Sequence, residues 1–181
     1  MHHATSPSRA KRPADISDLG PRTPASVVAP SRDGDRVAVA WGGGEVAVLD
    51  AATLDAQATF ELDGPPGAAA FSPDQRALHA LLSDRLVTLD LTRGVEQAQA
   101  ALPARVASMA LGDALAVSPD GSFAMVAVEP DEGRSARWAR VELATGGARL
   151  LDTGRAVHMG CPRVSPDGTI NLFAGATVFG F

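Results

Sequence analysis

One four-residue unit returns four times along the chain: Ser31-Arg-Asp-Gly34, Ser72-Pro-Asp-Gln75, Ser118-Pro-Asp-Gly121 and Ser165-Pro-Asp-Gly168. Its serines stand 41, 46 and 47 residues apart. A near-constant period of this size belongs to chains that stack one supersecondary unit many times. The unit has a mechanical reading. Ser suits the first position of a type I turn, and Pro at the second pre-sets φ. Asp is tolerated at the third, and Gly at the fourth accepts a positive φ. A type I turn followed by a left-handed residue closes a β-hairpin through a bulge. Each unit should therefore join two antiparallel strands.

The residues on either side agree. Short apolar runs follow each turn at 37–41, 78–82, 123–128 and 170–174, and after a connection second runs come at 46–50, 86–90, 138–142 and 177–181. The second run ends on Asp50, Asp90 or Glu142, an acidic residue able to start a further turn. Weaker strands are expected at 56–62, 95–102 and 148–151, and short strands before each Ser turn at 26–29, 68–71, 114–117 and 163–164. The Ala-rich stretch from Val95 to Met109 has some helical character, but Gly94 and Pro103 frame it badly, and it is read as strand and loop. Four strands per repeat of this length describe a β-propeller blade. Several of the strands are apolar on both faces, as expected of a blade held between two others.

These repeats resemble the WD40-like, YVTN and TolB-type propeller repeats common in bacteria. The resemblance rests on the two Ser-Pro-Asp-Gly turns and on Val46-Ala-Val-Leu-Asp-Ala-Ala-Thr53, and it covers about residues 26–181. It implies an all-β fold of four-stranded propeller-type blades. The Gly-His and Trp-Asp dipeptides of true WD40 repeats are not found. Asp50-Ala-Ala-Thr53 is also similar to quinone-cofactor propeller repeats. Leu54 and Ala58 stand where those repeats carry Gly and Trp, so no cofactor is expected.

The count of blades comes to about three and a half, with repeats starting near 26, 68, 114 and 161. Closed propellers have typically four to eight blades, so a partial propeller is expected. Three accounts stand: a chain truncated at its C-terminus, which is favoured; a ring completed by self-association or a second subunit; and a small four-bladed ring. In the last, the N-terminal arm would supply the missing strand, which its prolines disfavour. Residues 1–25 are read as a disordered arm, since Pro7, Pro13, Pro21 and Pro24 punctuate a stretch with few apolar residues. It has no apolar segment of the kind a secretory signal needs, so a cytoplasmic location is expected.

Charge and composition exclude several classes. Sixteen basic against 21 acidic residues leave a net charge of −5, which opposes nucleic-acid binding. A single cysteine excludes a disulfide framework and a Cys-rich zinc site. No apolar run is long enough to span a membrane as a helix. The single Lys11, the lack of Tyr and the plentiful Ala fit GC-rich coding and point to no chemistry.

Candidate site residues are few. The connection from Glu129 to Arg137 is the longest within a hairpin and carries Asp131, Glu132 and Arg134, which makes it a candidate binding loop. His158 and Cys161 lie close in sequence and form a candidate reactive pair, without a third member to orient them. The adjacent His2 and His3 are read as a chance pair. Trp41-Gly-Gly-Gly44 lacks the Lys-Ser/Thr of a phosphate loop and is read as a hairpin turn. His79 falls in a strand and is expected in the core or at the channel edge. Asp33, Asp74, Asp120 and Asp167 recur with the repeat and are read as structural. No catalytic, cofactor-binding or metal residues are assigned.

The expected function is a non-catalytic β-propeller interaction module, as a complete protein or as a fragment of a larger propeller. It would bind a protein partner or a second copy, with no role on nucleic acid or membrane. The alternative is a propeller-type enzyme, either a lactonase-like hydrolase or the propeller domain of a peptidase or dehydrogenase.

Overall fold

The computed structural model describes residues 25–106, 114–129, 137–151, 162–174 and 177–180. The N-terminal arm up to residue 24, and with it His2 and His3, lies outside them, as do Asp131, Glu132, Arg134, His158 and Cys161.

Fifteen strands and no helix are found among the described residues. The first blade is β1 (Ala25–Pro30), β2 (Arg36–Trp41), β3 (Glu45–Asp50) and β4 (Ala56–Glu61). The second is β5 (Ala68–Phe71), β6 (Ala77–Leu81), β7 (Arg85–Asp90) and β8 (Val95–Ala101). The third is β9 (Leu115–Val117), β10 (Phe123–Val128), β11 (Arg137–Glu142) and β12 (Ala148–Leu151). The last sheet holds β13 (Pro162–Val164), β14 (Ile170–Ala174) and β15 (Thr177–Gly180). Every sheet is an antiparallel meander in sequence order. The Ala-rich stretch begins as β8 and then bends, as expected of strand and loop.

The first strands of successive blades lie side by side, β1 against β5, β5 against β9 and β9 against β13. That places them innermost, with the fourth strand of each complete blade outermost. The Ser turns all link a first strand to a second, so they gather on one face. In the first three repeats the Ser N–H closes the hairpin on the carbonyl five residues on, at 2.8–2.9 Å. The Ser hydroxyl donates to the Asp Oδ1 in all four. In the first three it also accepts the N–H five residues on. The fourth turn residue has a positive φ throughout, at Gly34, Gln75, Gly121 and Gly168. A second link recurs: the N–H of Ala51, Leu91 and Leu143 donates to the carbonyl of Asp35, Arg76 and Ser122 at 2.8–3.0 Å. It ties the turn after the third strand to the Ser turn of the same blade.

Burial follows blade position. All six residues of β10 are buried, and so are Leu78, His79, Ala80 and Leu81 of β6. Both faces of these strands are covered, because the second and third blades each lie between two others. One cluster joins the first two blades through Val46, Val48, Leu78, Leu82, Val87 and Leu89. Another joins the second blade to the third through Leu81, Leu86, Met125 and Val126. Each such side chain contributes about 1.5–3 kcal/mol when fully buried, so packing between blades dominates stability. The first blade differs: on its other face Ala47, Leu49 and Ala56 are buried, but Val39 and Trp41 only in part.

Glycine is required at residue 44. It closes the turn from Trp41 with φ +94°, and a Cβ there would collide with the Leu62 carbonyl oxygen, which belongs to rigid backbone. Gly44→Ala should cost about 2 kcal/mol or more in combined strain and lost chain contact, read as a markedly lower urea midpoint. Ser118→Ala should cost about 1–3 kcal/mol, since it leaves the buried Phe123 N–H without its acceptor. Ser165→Ala, at a half-buried turn, should cost less, and equilibrium unfolding of the two variants compares them directly.

Candidate functional site

Described residues line two hollows on the face that carries the Ser turns. The first, of about 490 Å³, lies at the centre, where the ends of the first strands and the turns converge. Val28, Arg32, Phe71, Pro73, Pro119 and Pro166 are among its lining residues. The second-position residues of all four turns thus meet there: proline three times and Arg32 once. Its serines, Ser72 and Ser118, turn their hydroxyls toward Asp74 and Asp120. Arg32 is the one charged residue among the described residues lining it.

The second hollow, of about 630 Å³, is a groove between the second and third blades. Arg76, His79, Thr88 and Arg93 line it from the second blade, Asp120 and Leu143 from the third. His79 pairs across the β6–β7 register with Thr88, its Nδ1 3.1 Å from Thr88 Oγ1. It is only 4% exposed. Burial lowers its pKa from the usual 6.5 to about 4, against the raising effect of the Asp74 carboxylate. At neutral pH the imidazole is therefore uncharged, and a base this weak moves protons poorly. His79 is placed in the core, as expected, and its cavity is the inter-blade groove rather than the central channel.

The turn aspartates act as acceptors. Asp33 is held below the usual carboxylate range by the Ser31 hydroxyl and the Asp35 N–H, and Asp74 by Ser72 and the Arg76 N–H. Asp120 falls to about 2 through the Ser122 N–H and the hydroxyls of Ser118 and Ser122. Asp167 falls to about 2 through the Ser165 hydroxyl and the Thr169 N–H. Asp50 and Asp90 start the second turn, each Oδ1 accepting two N–H groups. The carbonyls of Asp50, Asp90 and Glu142 accept the N–H four residues on, but the Glu142 carboxylate differs in taking the Arg140 guanidinium at 2.6 Å. Among the described residues, no group of three or more His, Cys, Asp and Glu side chains is placed to hold a metal ion.

Of the candidate binding loop, Glu129 and Arg137 are described. They flank the connection at the end of β10 and the start of β11, opposite the face with the Ser turns. Glu129 is exposed, and its N–H donates to the Arg105 carbonyl at 2.6 Å. Arg137 is half-buried and paired with Val128. The hollows of the turn face were not expected from the sequence. One signal for the central hollow was present there, namely Arg32 in the place of the repeat's proline.

No protein-family model and no curated protein matches the chain. Solved structures do, 996 chains in all. Among them is the β-propeller domain of Cps50 (Swd1) from Myceliophteria thermophila, similar with a TM-score of 0.64 at 12% sequence identity. The match covers 90% of this chain and 51% of that one, so the chain spans about half the length of that propeller domain. The fold is that of β-propeller blades.

The pH dependence of stability follows from His79. The unfolded chain takes up its proton near 6.5, the folded chain only near 4. Stability should thus be full above pH 6.5 and decline as pH falls to 4, by at most about 3 kcal/mol. His79→Gln should flatten this decline in denaturant titrations. Below pH 4 a further loss should remain in both proteins, as Asp120 and Asp167 are protonated.

Proposed function

We propose that the chain is a non-catalytic interaction module, a bacterial WD40-like, YVTN or TolB-type set of propeller blades that holds a protein partner in the cytoplasm. The observation that carries this reading is the construction of the turn face. Four equivalent turns, each closed by its own Ser–Asp hydrogen bond, surround one hollow on a framework packed between blades. Such a face is preorganised, so a partner would lose little affinity to ordering the module. The turn carboxylates serve as ionised acceptors within the backbone, a structural use of the groups that an enzyme would employ as acids. The likeness to a propeller domain supports the fold on which the reading rests, although propellers host many functions.

The test begins with crosslinking in the source cells, followed by reconstitution from purified components. One protein should be crosslinked reproducibly to the turn face, and the purified pair should form a stoichiometric complex by calorimetry and light scattering. If the purified chain turns over lactone, ester or peptide substrates instead, and forms a complex with no protein, the interaction reading is overturned.

A further inference from the structure

We propose that the central hollow of the turn face is a peptide-binding site, taking one bulky apolar side chain with an adjacent carboxylate held by Arg32. The proposal rests on the interaction-module reading and names the surface and the partner chemistry. Three observations carry it.

The first is internal to the repeat. Proline occupies the second turn position at residues 73, 119 and 166, where it pre-sets the φ a type I turn needs. Arg32 occupies that position in the first turn, which closes with the same hydrogen bonds. The first turn closes without the pre-set φ of proline, and Arg32 is among the residues that line the hollow. The second is charge. The chain carries a net −5, yet among the described residues lining this hollow the charged one is a cation, and none of them is a carboxylate. Arg32 has no ion pair among the described residues. A guanidinium in this setting suits a planar carboxylate, which it can grip with two parallel N–H donors. One local cation on an acidic chain selects a single anionic group over a polyanion.

The third is apolar exposure. Among the described residues, Val28 and Leu54 are the large hydrophobic side chains left exposed. Leu54 lies in the turn after β3, at φ +63°. Val28, 65% exposed, lines the hollow together with Phe71 and the prolines. A volume of about 490 Å³ takes a leucine or phenylalanine side chain with its flanking backbone.

The test uses the full chain and fluorescein-labelled hexapeptides that place one Leu or Phe beside one Asp. Matched peptides carry Asn in place of Asp. Fluorescence anisotropy should show the Asp peptides binding at least fivefold more tightly than the Asn peptides, with the preference fading as salt rises. In methyl NMR spectra the signals of Val28 and Val117 should shift with the Asp peptides. Arg32→Pro installs the repeat's own residue, so the variant should fold with an equal or higher thermal midpoint. It should lose the fivefold preference while leaving the affinity for Asn peptides unchanged. Equal affinity for Asp and Asn peptides, or an Arg32→Pro chain that keeps the preference, overturns the proposal. The same variant separates this site from the module reading. A purified protein partner that binds Arg32→Pro undiminished overturns the peptide site and leaves the module standing. Carboxylate-selective peptide binding by a chain that complexes no protein does the reverse.

Discussion

A serine hydroxyl that gives one hydrogen bond and takes another is the interaction on which the rest of this fold depends. At Ser118 the hydroxyl donates to Asp120 Oδ1 at 2.7 Å and accepts the Phe123 N–H at 3.0 Å. The same Oδ1 accepts the Ser122 N–H, so two adjacent backbone donors after the turn are satisfied by two neighbouring side chains. The Ser122 carbonyl then receives the Leu143 N–H, which fixes the turn after the third strand. One hydroxyl thereby orders the links among three strands of a blade. The arrangement requires an ionised aspartate, since a protonated acid is a weaker acceptor. It also explains why the turn carboxylates sit below their ordinary range while exposed to water: hydrogen bonds to the charged form, rather than burial, set their acidity.

Registering each blade in this way fixes which residues face the next one. β10 is buried along its whole length because the third blade has a neighbour on each side, and the cluster around Met125 and Val126 takes Leu81 and Leu86 from the second blade. β2 of the first blade alternates buried with half-buried residues instead. The two kinds of strand differ little in apolar content, so position in the stack, not composition, decides their burial. Arg140 shows how a charge is accommodated inside this packing. Its guanidinium lies 3.8 Å from the centre of the Phe123 ring and bonds Glu142, a cation–π and an ionic contact from one side chain.

Much of this was legible in the sequence because it is local. The Ser turns, the acidic starts of the second turns at Asp50 and Asp90, and the strands between them are each specified within about ten residues, and the period joins them into blades. Strand ends differ from expectation by a residue or two, as with β1, which begins at Ala25. What escaped is made between repeats. His79 and Thr88 are nine residues apart, but the groove above them needs Asp120 and Leu143 of the next blade. The bond from Arg36 to Gln75 spans 39 residues and follows from no local pattern. In the sequence the polar loop at Glu129–Arg137 reads as a site, whereas the hollows arise from turns and strand ends that read as purely structural.

Departures from a repeat carry more information than its consensus, because the other copies act as controls within one molecule. Gln75 stands where the other turns have glycine, at φ +61°, a conformation unfavourable for a side chain. A physical compensation is visible: Arg36 donates to both the Gln75 carbonyl, at 2.8 Å, and Oε1, at 3.1 Å, while lying 5.3 Å from the Phe71 ring. That departure joins the first blade to the second and is explained within the fold. Arg32 is the parallel case without such an account. Pro73, Pro119 and Pro166 show what the second turn position needs, and the first turn closes without it. Neither the turn nor an ion pair among the described residues uses the arginine, so it is the departure that the repeat itself does not explain, and the proposed peptide site gives it a use in the hollow it lines.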